Sequence, residues 1–289
     1  MAWIDLLRDE LPLLVASAGV LGLIVGSFLN VVILRVPRIL QQEWQRDCAE
    51  LRGETPTVAD PVTLSAPPST CPHCGHRIRF FENIPVLSFL ALRGRCSACG
   101  HPIGWRYPII EGLTAILSIV VVWHFGLDWT AAAALVLTWG LIALTVIDLD
   151  TQLLPDNITL PLLWLGLLVS LAGLFADSQA AILGAAIGYA SLWSVFQIFR
   201  LVTGKEGMGF GDFKLFALLG AWLGWQYLPQ IILLAAVTGA IVGLLLVLTR
   251  GHDREIPIPF GPYLAGAGWI SLIWGDSINH FYLSWSGLG

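Results

Sequence analysis

The sequence predicts an all-α polytopic membrane protein of about eight transmembrane helices, with a small cytoplasmic four-cysteine zinc-binding insertion between the first two. Three observations predict it. Apolar residues make up 56% of the 289 positions and charged residues 12%, with a mean hydropathy of +0.76, which excludes an ordinary soluble domain. The apolar residues fall in runs at about 11–34, 108–125, 129–149, 158–176, 180–201, 210–228, 230–249 and 260–275. A helix needs about 20 residues to cross the hydrocarbon core, and most of these runs suffice. The one sizeable polar segment, 35–107, lies between the first two and carries all five cysteines, four of them in two Cys-x-x-Cys pairs. The chain therefore divides into a first helix at 1–34, the insertion at 35–107 and a transmembrane core at 108–289.

The first run is read as an anchor. Its leader, Met1 to Glu10, holds Asp5, Asp9 and Glu10 against the single Arg8, whereas a signal peptide starts positive. The sixth and eighth runs are short or interrupted by polar residues. Orientation follows from lysine and arginine bias. With eight spans, nine arginines fall in the insertion, and Arg200, Lys205, Lys214, Arg250 and Arg254 fall on the same face. Only Arg8 falls on the other. The insertion is thus expected in the cytoplasm, with both termini outside. The net charge of -5 does not enter this rule, and nucleic acid is not an expected partner.

In the insertion, Gln41 to Pro68 mixes charges with prolines and reads as loosely structured. Cys71-Pro-His-Cys74-Gly-His76 follows, and then Cys96-Ser-Ala-Cys99-Gly-His101. Two such units 21 residues apart read as zinc knuckles. Each places two thiolates close together, and the glycine turns the chain back towards the metal. Four cysteines complete a closed structural site, although His73, His76 or His101 can each replace a thiolate. Disulfides are the competing reading, and a reducing cytoplasm disfavours them. Cys48 is left as a free thiol.

Ionisable groups beside the hydrocarbon are costly and are functional candidates by default. The third run ends in Asp148-Leu-Asp150, with Asp156 six residues on. The sixth opens with Gly209-Phe-Gly211-Asp212. In the eight-span topology Asp148 and Asp212 reach the same membrane face although 64 positions apart. Two neighbouring carboxylates cannot both ionise cheaply, so the pair shares a proton. The charged member then deprotonates a water, and the neutral one supports the developing oxyanion. This points to a hydrolase without a catalytic cofactor, and no Gly-x-Ser-x-Gly arrangement offers a serine alternative. Asp148 and Asp150 face different sides of a helix, and spacing alone does not choose between them. Asp156 reads as a helix cap. Gly209 and Gly211 either admit an extended substrate strand by main-chain hydrogen bonds or serve as loop residues, with Asp212 capping the next helix.

These residues together resemble the prepilin peptidase family, the type IV leader peptidases of the Gly-x-Gly-Asp aspartic class. The likeness runs through Gly26-Ser-Phe-Leu-Asn30, Arg35-Val-Pro37, the paired Cys-x-x-Cys units and Asn83-Ile-Pro85. It continues through Arg106-Tyr-Pro-Ile-Ile-Glu111, Asp148 to Asp156, Gly204 to Asp212 and Pro259-Phe-Gly-Pro262. The resemblance implies an inner-membrane enzyme that cleaves prepilins and pseudopilins after a glycine on the cytoplasmic side. It also implies N-methylation of the new N-terminus with S-adenosyl-L-methionine. Carried over, the family's catalytic pair is Asp148 and Asp212. Such a substrate keeps its basic leader near anionic membrane lipid.

The remaining polar residues are read more plainly. Glu111 can contact substrate or methyl donor, or pair with Arg106 or Lys214. Lys214 can tune Asp212 or snorkel to the interface. Asn30 is expected to hydrogen-bond between helices, and the Pro257 to Pro262 loop to act as a rigid connector first and a substrate wall second. Alternative readings are a peptidase without methyltransferase activity, a proton-coupled transporter, and a non-catalytic assembly factor. A transporter would carry its acids near the midplane and show inverted repeats. Here the acids sit at span ends, and no repeat is evident.

Overall fold

The computed structural model describes residues 11–54, 61–205, 207–250 and 259–286. The leader Met1 to Glu10 and the stretch holding Arg254 and Pro257 lie outside the described residues, so the readings placed on them are not addressed. The described residues are helical, with two isolated β-bridges in the cysteine segment and no longer strand. They fall into two compact units, 1–127 and 128–289.

The first unit opens with α1, Leu11–Leu51. At 1.5 Å per residue it is about 60 Å long, twice the hydrocarbon core. This corrects the expectation that the chain is loose from Gln41. Residues 41–51 contain neither glycine nor proline and are mostly good helix formers. The helix stops only near Gly53, which takes a φ of +68°. The expected boundary after residue 34 therefore falls inside a continuous helix. A 3₁₀ turn at Phe80–Asn83 and the short α2, Leu87–Ala91, lead to α3, Arg106–Phe125. Helices α1 and α3 pack backbone to backbone. A methyl group on Gly22 would lie 2.6 Å from the Ala115 Cα, and one on Gly26 would lie 2.7 Å from the Glu111 Cα. Such a small-x-x-x-small seam lets membrane helices approach closely. The buried Thr114 and Ser118 hydroxyls donate to carbonyls one turn back, at 2.7 Å each. Asn30 Nδ2 donates to the Tyr107 carbonyl at 3.3 Å, the interhelical role expected of it.

The second unit holds α4 (Trp129–Thr151), α5 (Asp156–Ser170), α6 (Ser178–Thr203), α7 (Phe210–Leu223), α8 (Leu228–Arg250) and α9 (Gly261–Ser286). With α1 and α3, these eight helices coincide with the eight apolar runs. Among the described residues, five stretches are long and apolar enough to cross a membrane: those of α1, α3, α4, α6 and α8. The weak sixth run becomes α7, whose fourteen residues span only about 21 Å. From Phe213 to Leu223 only Lys214 escapes burial. A helix apolar all round belongs in an interior, and α7 is wrapped by its neighbours. Trp222 Nε1 donates to the Leu162 carbonyl of α5 at 2.8 Å. Gly188 of α6 leaves room for the Phe216 carbonyl, which would stand 2.8 Å from a methyl group there.

Candidate active site and metal centre

In the first unit the two cysteine motifs fold as near copies. Cys71 N–H donates to the His76 carbonyl at 2.8 Å, and Cys96 N–H donates to the His101 carbonyl at 2.9 Å. Gly75 and Gly100 take φ values of +71° and +69° and return their amides to Cys71 and Cys96, a turn that glycine makes without steric cost. The four sulfurs of Cys71, Cys74, Cys96 and Cys99 lie within 4.8 Å of one another, with the Cys71–Cys99 and Cys74–Cys96 pairs at 4.0 Å. Zinc–sulfur bonds of about 2.3 Å require an edge of about 3.8 Å in a tetrahedral set, so the cluster fits a metal ion. The amides of Cys74 and His73 bring the Cys71 thiol down to about 7. Against the His76 amide, burial and the neighbouring thiols push Cys74 up to about 12, so without a cation the four cannot all ionise together.

None of the nearby histidines is needed as a ligand. His73 and His101 stack with ring centroids 4.6 Å apart. His76 Nε2 lies 3.3 Å from Glu82 Oε2. That carboxylate also accepts from the Arg79 amide at 2.7 Å and the Ser97 hydroxyl at 2.5 Å. These donors, the amide first, bring the Glu82 carboxyl down to about 2. Cys48 is exposed and free.

In the second unit Asp148 stands in the last turn of α4. The helix ends there because Gln152 enters the left-handed region at φ +55° and donates its amide to the Asp148 carbonyl. Asp148 is buried, at 5% exposure, whereas Asp150 is exposed. Asp212, at 8% exposure, is the third residue of α7. Its amide donates to the Gly209 carbonyl at 3.3 Å, and its carboxylate accepts from the Gly209 amide. The two carboxylates are close enough to act on each other electrostatically. The helix-capping alternative for Asp212 is not what the structure shows: Gly209 holds the cap position without a side-chain cap bond, and Asp212 lies inside the helix.

A third segment completes the site. The Gly261 amide is aimed at the Asp148 carboxylate, yet Asp148 Oδ2 is buried without a well-formed hydrogen bond to any described residue. A methyl group at Gly261 would lie 2.5 Å from that oxygen. Leu154 packs against both Gly211 and Gly261. Its Cβ would be 2.7 Å from a methyl group on Gly211, and its Cδ1 would be 3.2 Å from one on Gly261. Gly211 thus serves close packing, while Gly209 has only the Asp212 carboxylate and the Gly211 amide near its open side. Pro259-Phe-Gly-Pro262, read from sequence as a connector first and a substrate wall second, carries no sequence signal that Gly261 packs on Asp148.

Two other candidates have definite partners. Lys214 Nζ lies 2.7 Å from both carboxylate oxygens of Asp156. This corrects the reading of Asp156 as a cap: Pro155 occupies the cap position and makes no side-chain cap bond. Glu111 Oε2 accepts from the Val86 amide at 2.8 Å, and the Ser27 hydroxyl also donates to that carboxylate.

Residues 20–125 match the Bacterial Peptidase A24 N-terminal domain, and residues 135–244 match the Type IV leader peptidase family. The chain is 53% identical over 288 residues to the prepilin leader peptidase/N-methyltransferase of Pseudomonas aeruginosa, covering 99% of both chains. It is 53% identical over 287 residues to the protein of that name from Aeromonas hydrophila, covering 98% of this chain and 99% of that one. For the Legionella pneumophila relative of the same name the identity is 47% over 268 residues, covering 92% and 93%. No solved structure matches the chain.

Proposed function

The chain belongs to the type IV leader peptidase family, and we propose that it removes the leader of prepilins and pseudopilins and then N-methylates the new N-terminus. Cleavage follows a glycine on the cytoplasmic side of the inner membrane, and Asp148 and Asp212 carry it. The observation that supports this most is the buried pair itself. Two carboxylates act on one another at helix ends, and Asp148 Oδ2 has no hydrogen-bond partner among the described residues.

The pair holds one proton between its two carboxyls. The ionised member takes a proton from water as the water oxygen attacks the scissile carbonyl carbon. The protonated member donates to the carbonyl oxygen, which gains charge in the transition state. Collapse of the tetrahedral species breaks the C–N bond, and the leaving amine takes the proton. Gly209, which puts no side chain beside Asp212, leaves an open side on which an extended substrate strand approaches the site.

S-adenosyl-L-methionine supplies an electrophilic methyl group for the second activity. Glu111, whose carboxylate accepts from the Val86 amide, remains the residue proposed to contact substrate or methyl donor, and no step is assigned to it. Cys71, Cys74, Cys96 and Cys99 hold zinc in a structural role, since four protein ligands leave no open position.

The test is cleavage of a purified prepilin in liposomes by the wild type, Asp148→Asn and Asp212→Asn. Each variant is expected to lose about 10²–10⁴-fold in rate with folding and metal content unchanged. Full activity in either variant would remove that residue from the pair.

A further inference from the structure

The segment between the two cysteine motifs is tied to the start of a membrane helix at two points. Phe89 of α2 packs on Trp105, the residue before α3, with ring centroids 5.0 Å apart. The Val86 amide reaches Glu111, five residues into α3, about 7–8 Å along the helix axis. Val86 adopts φ 58° and ψ -44° to do so, a conformation costly for a β-branched residue. The backbone is held at this level against its local preference.

At that level the segment shows apolar side chains outward. Phe81 is 58% exposed, Ile84 40%, Leu87 65% and Leu90 62%. They recur every third residue through the 3₁₀ turn and α2. In water such a row would be an unexplained apolar patch. Beside the entry point of a membrane span, its surroundings are the headgroup and upper acyl region. Exposed arginines flank the row on both sides, Arg77 and Arg79 before it and Arg93 and Arg95 after it. Trp105 and Tyr107, both exposed, are residue types that collect at this depth.

We propose that Phe81 to Leu90 form an interfacial anchor that lays the cysteine module on an anionic phospholipid surface. Leu87, Leu90 and Phe81 enter the acyl boundary, and the flanking arginines meet lipid phosphates. Together with the two covalent connections to membrane helices, the anchor fixes the height of the metal centre above the bilayer.

The experiment uses the full chain in nanodiscs of phosphatidylethanolamine and phosphatidylglycerol. The photo-crosslinker p-benzoylphenylalanine replaces Phe81, Ile84, Leu87 or Leu90 in turn, with Gln45 of the α1 extension as a solvent control and the exposed Ile116 of α3 as a lipid control. Mass spectrometry is expected to find phospholipid adducts at the four positions and at Ile116, and none at Gln45. Adducts to another part of this chain, a second copy or an added prepilin would overturn the proposal, as would no adduct where Ile116 gives one. A second measurement tests the charge. Amide exchange at 84–92 should quicken several-fold when phosphatidylcholine replaces the anionic lipid, or in Arg93→Gln/Arg95→Gln. Unchanged exchange in both would remove the arginines from the anchor.

Discussion

The cysteine cluster draws four thiols from 29 consecutive residues, whereas Asp148 and Asp212 stand 64 positions apart and depend on a third segment at Gly261. The thiols satisfy one another's geometry for a metal, and the surrounding amides turn towards them. The carboxylates instead leave Asp148 Oδ2 buried with no hydrogen bond from any described residue. A closed set of ligands serves stability, because any added group would have to displace one. An incompletely satisfied buried acid costs stability, and such a cost is commonly kept where chemistry needs the group.

Metal removal should break this contrast most visibly if it is wrong. Binding free energy of a structural zinc is of order 10 kcal/mol in small domains, far more than any single contact in the module. Cys71→Ser/Cys99→Ser is expected to take bound metal from one equivalent to none and to open residues 61–105 to protease. Cleavage of a prepilin should fall by less than about tenfold, because the groups proposed to cleave are in the other unit. Metal content by mass spectrometry and proteolysis check the first part, and a cleavage assay checks the second. If cleavage vanished while 128–289 stayed protected, the metal centre would have a direct part in the reaction.

A smaller effect sharpens the other side. At Gly261 a methyl group would press on Asp148 Oδ2, and overpacking of this kind costs about 1–3 kcal/mol. Displacing a reacting group by about 1 Å can cost about 10²-fold. Gly261→Ala should therefore lower kcat by about 10–10²-fold and leave KM within about twofold, since the substrate-binding surface is untouched. Its melting temperature should also fall in the wild-type background and hardly at all in Asp148→Ala, where the obstructed carboxylate is gone. Equal losses in both backgrounds would show that Gly261 acts on something other than Asp148.

These two cases also show what was legible in the sequence. The cysteine site could be read because its geometry is local: Cys-x-x-Cys-Gly sets the turn, the amides and the sulfur spacing within six residues. Helix positions were legible because the apolar runs carry them, down to the short α7. Gly261 was not, since its role is a contact across 113 positions, from 148 to 261, and nothing in Pro-Phe-Gly-Pro announces the partner. The extension of α1 was missed because proline at 56 and beyond coloured the reading of residues 41–51, which themselves contain no helix breaker. For Asp148 against Asp150, helical spacing posed the choice, and burial separates them.

Lys214 should give the smallest effect. It lies two residues beyond Asp212, which drew attention to it, but its ammonium rests between the two oxygens of Asp156. The side chains are 30% and 49% exposed, so the pair is solvated and worth about 0–1 kcal/mol. Lys214→Met should shift the melting temperature by no more than about 2–4 °C, and Asp156→Asn should do the same. The double variant should be no worse than either alone, because each single change already loses the pair. The rate of prepilin cleavage should stay within about threefold. The stability shift should shrink further at about 1 M salt, where screening reaches about 3 Å. A fall in kcat comparable to that of Asp212→Asn, insensitive to salt, would instead place Lys214 within the carboxylate site. The pairing with Asp156 would then describe a resting arrangement that substrate must displace.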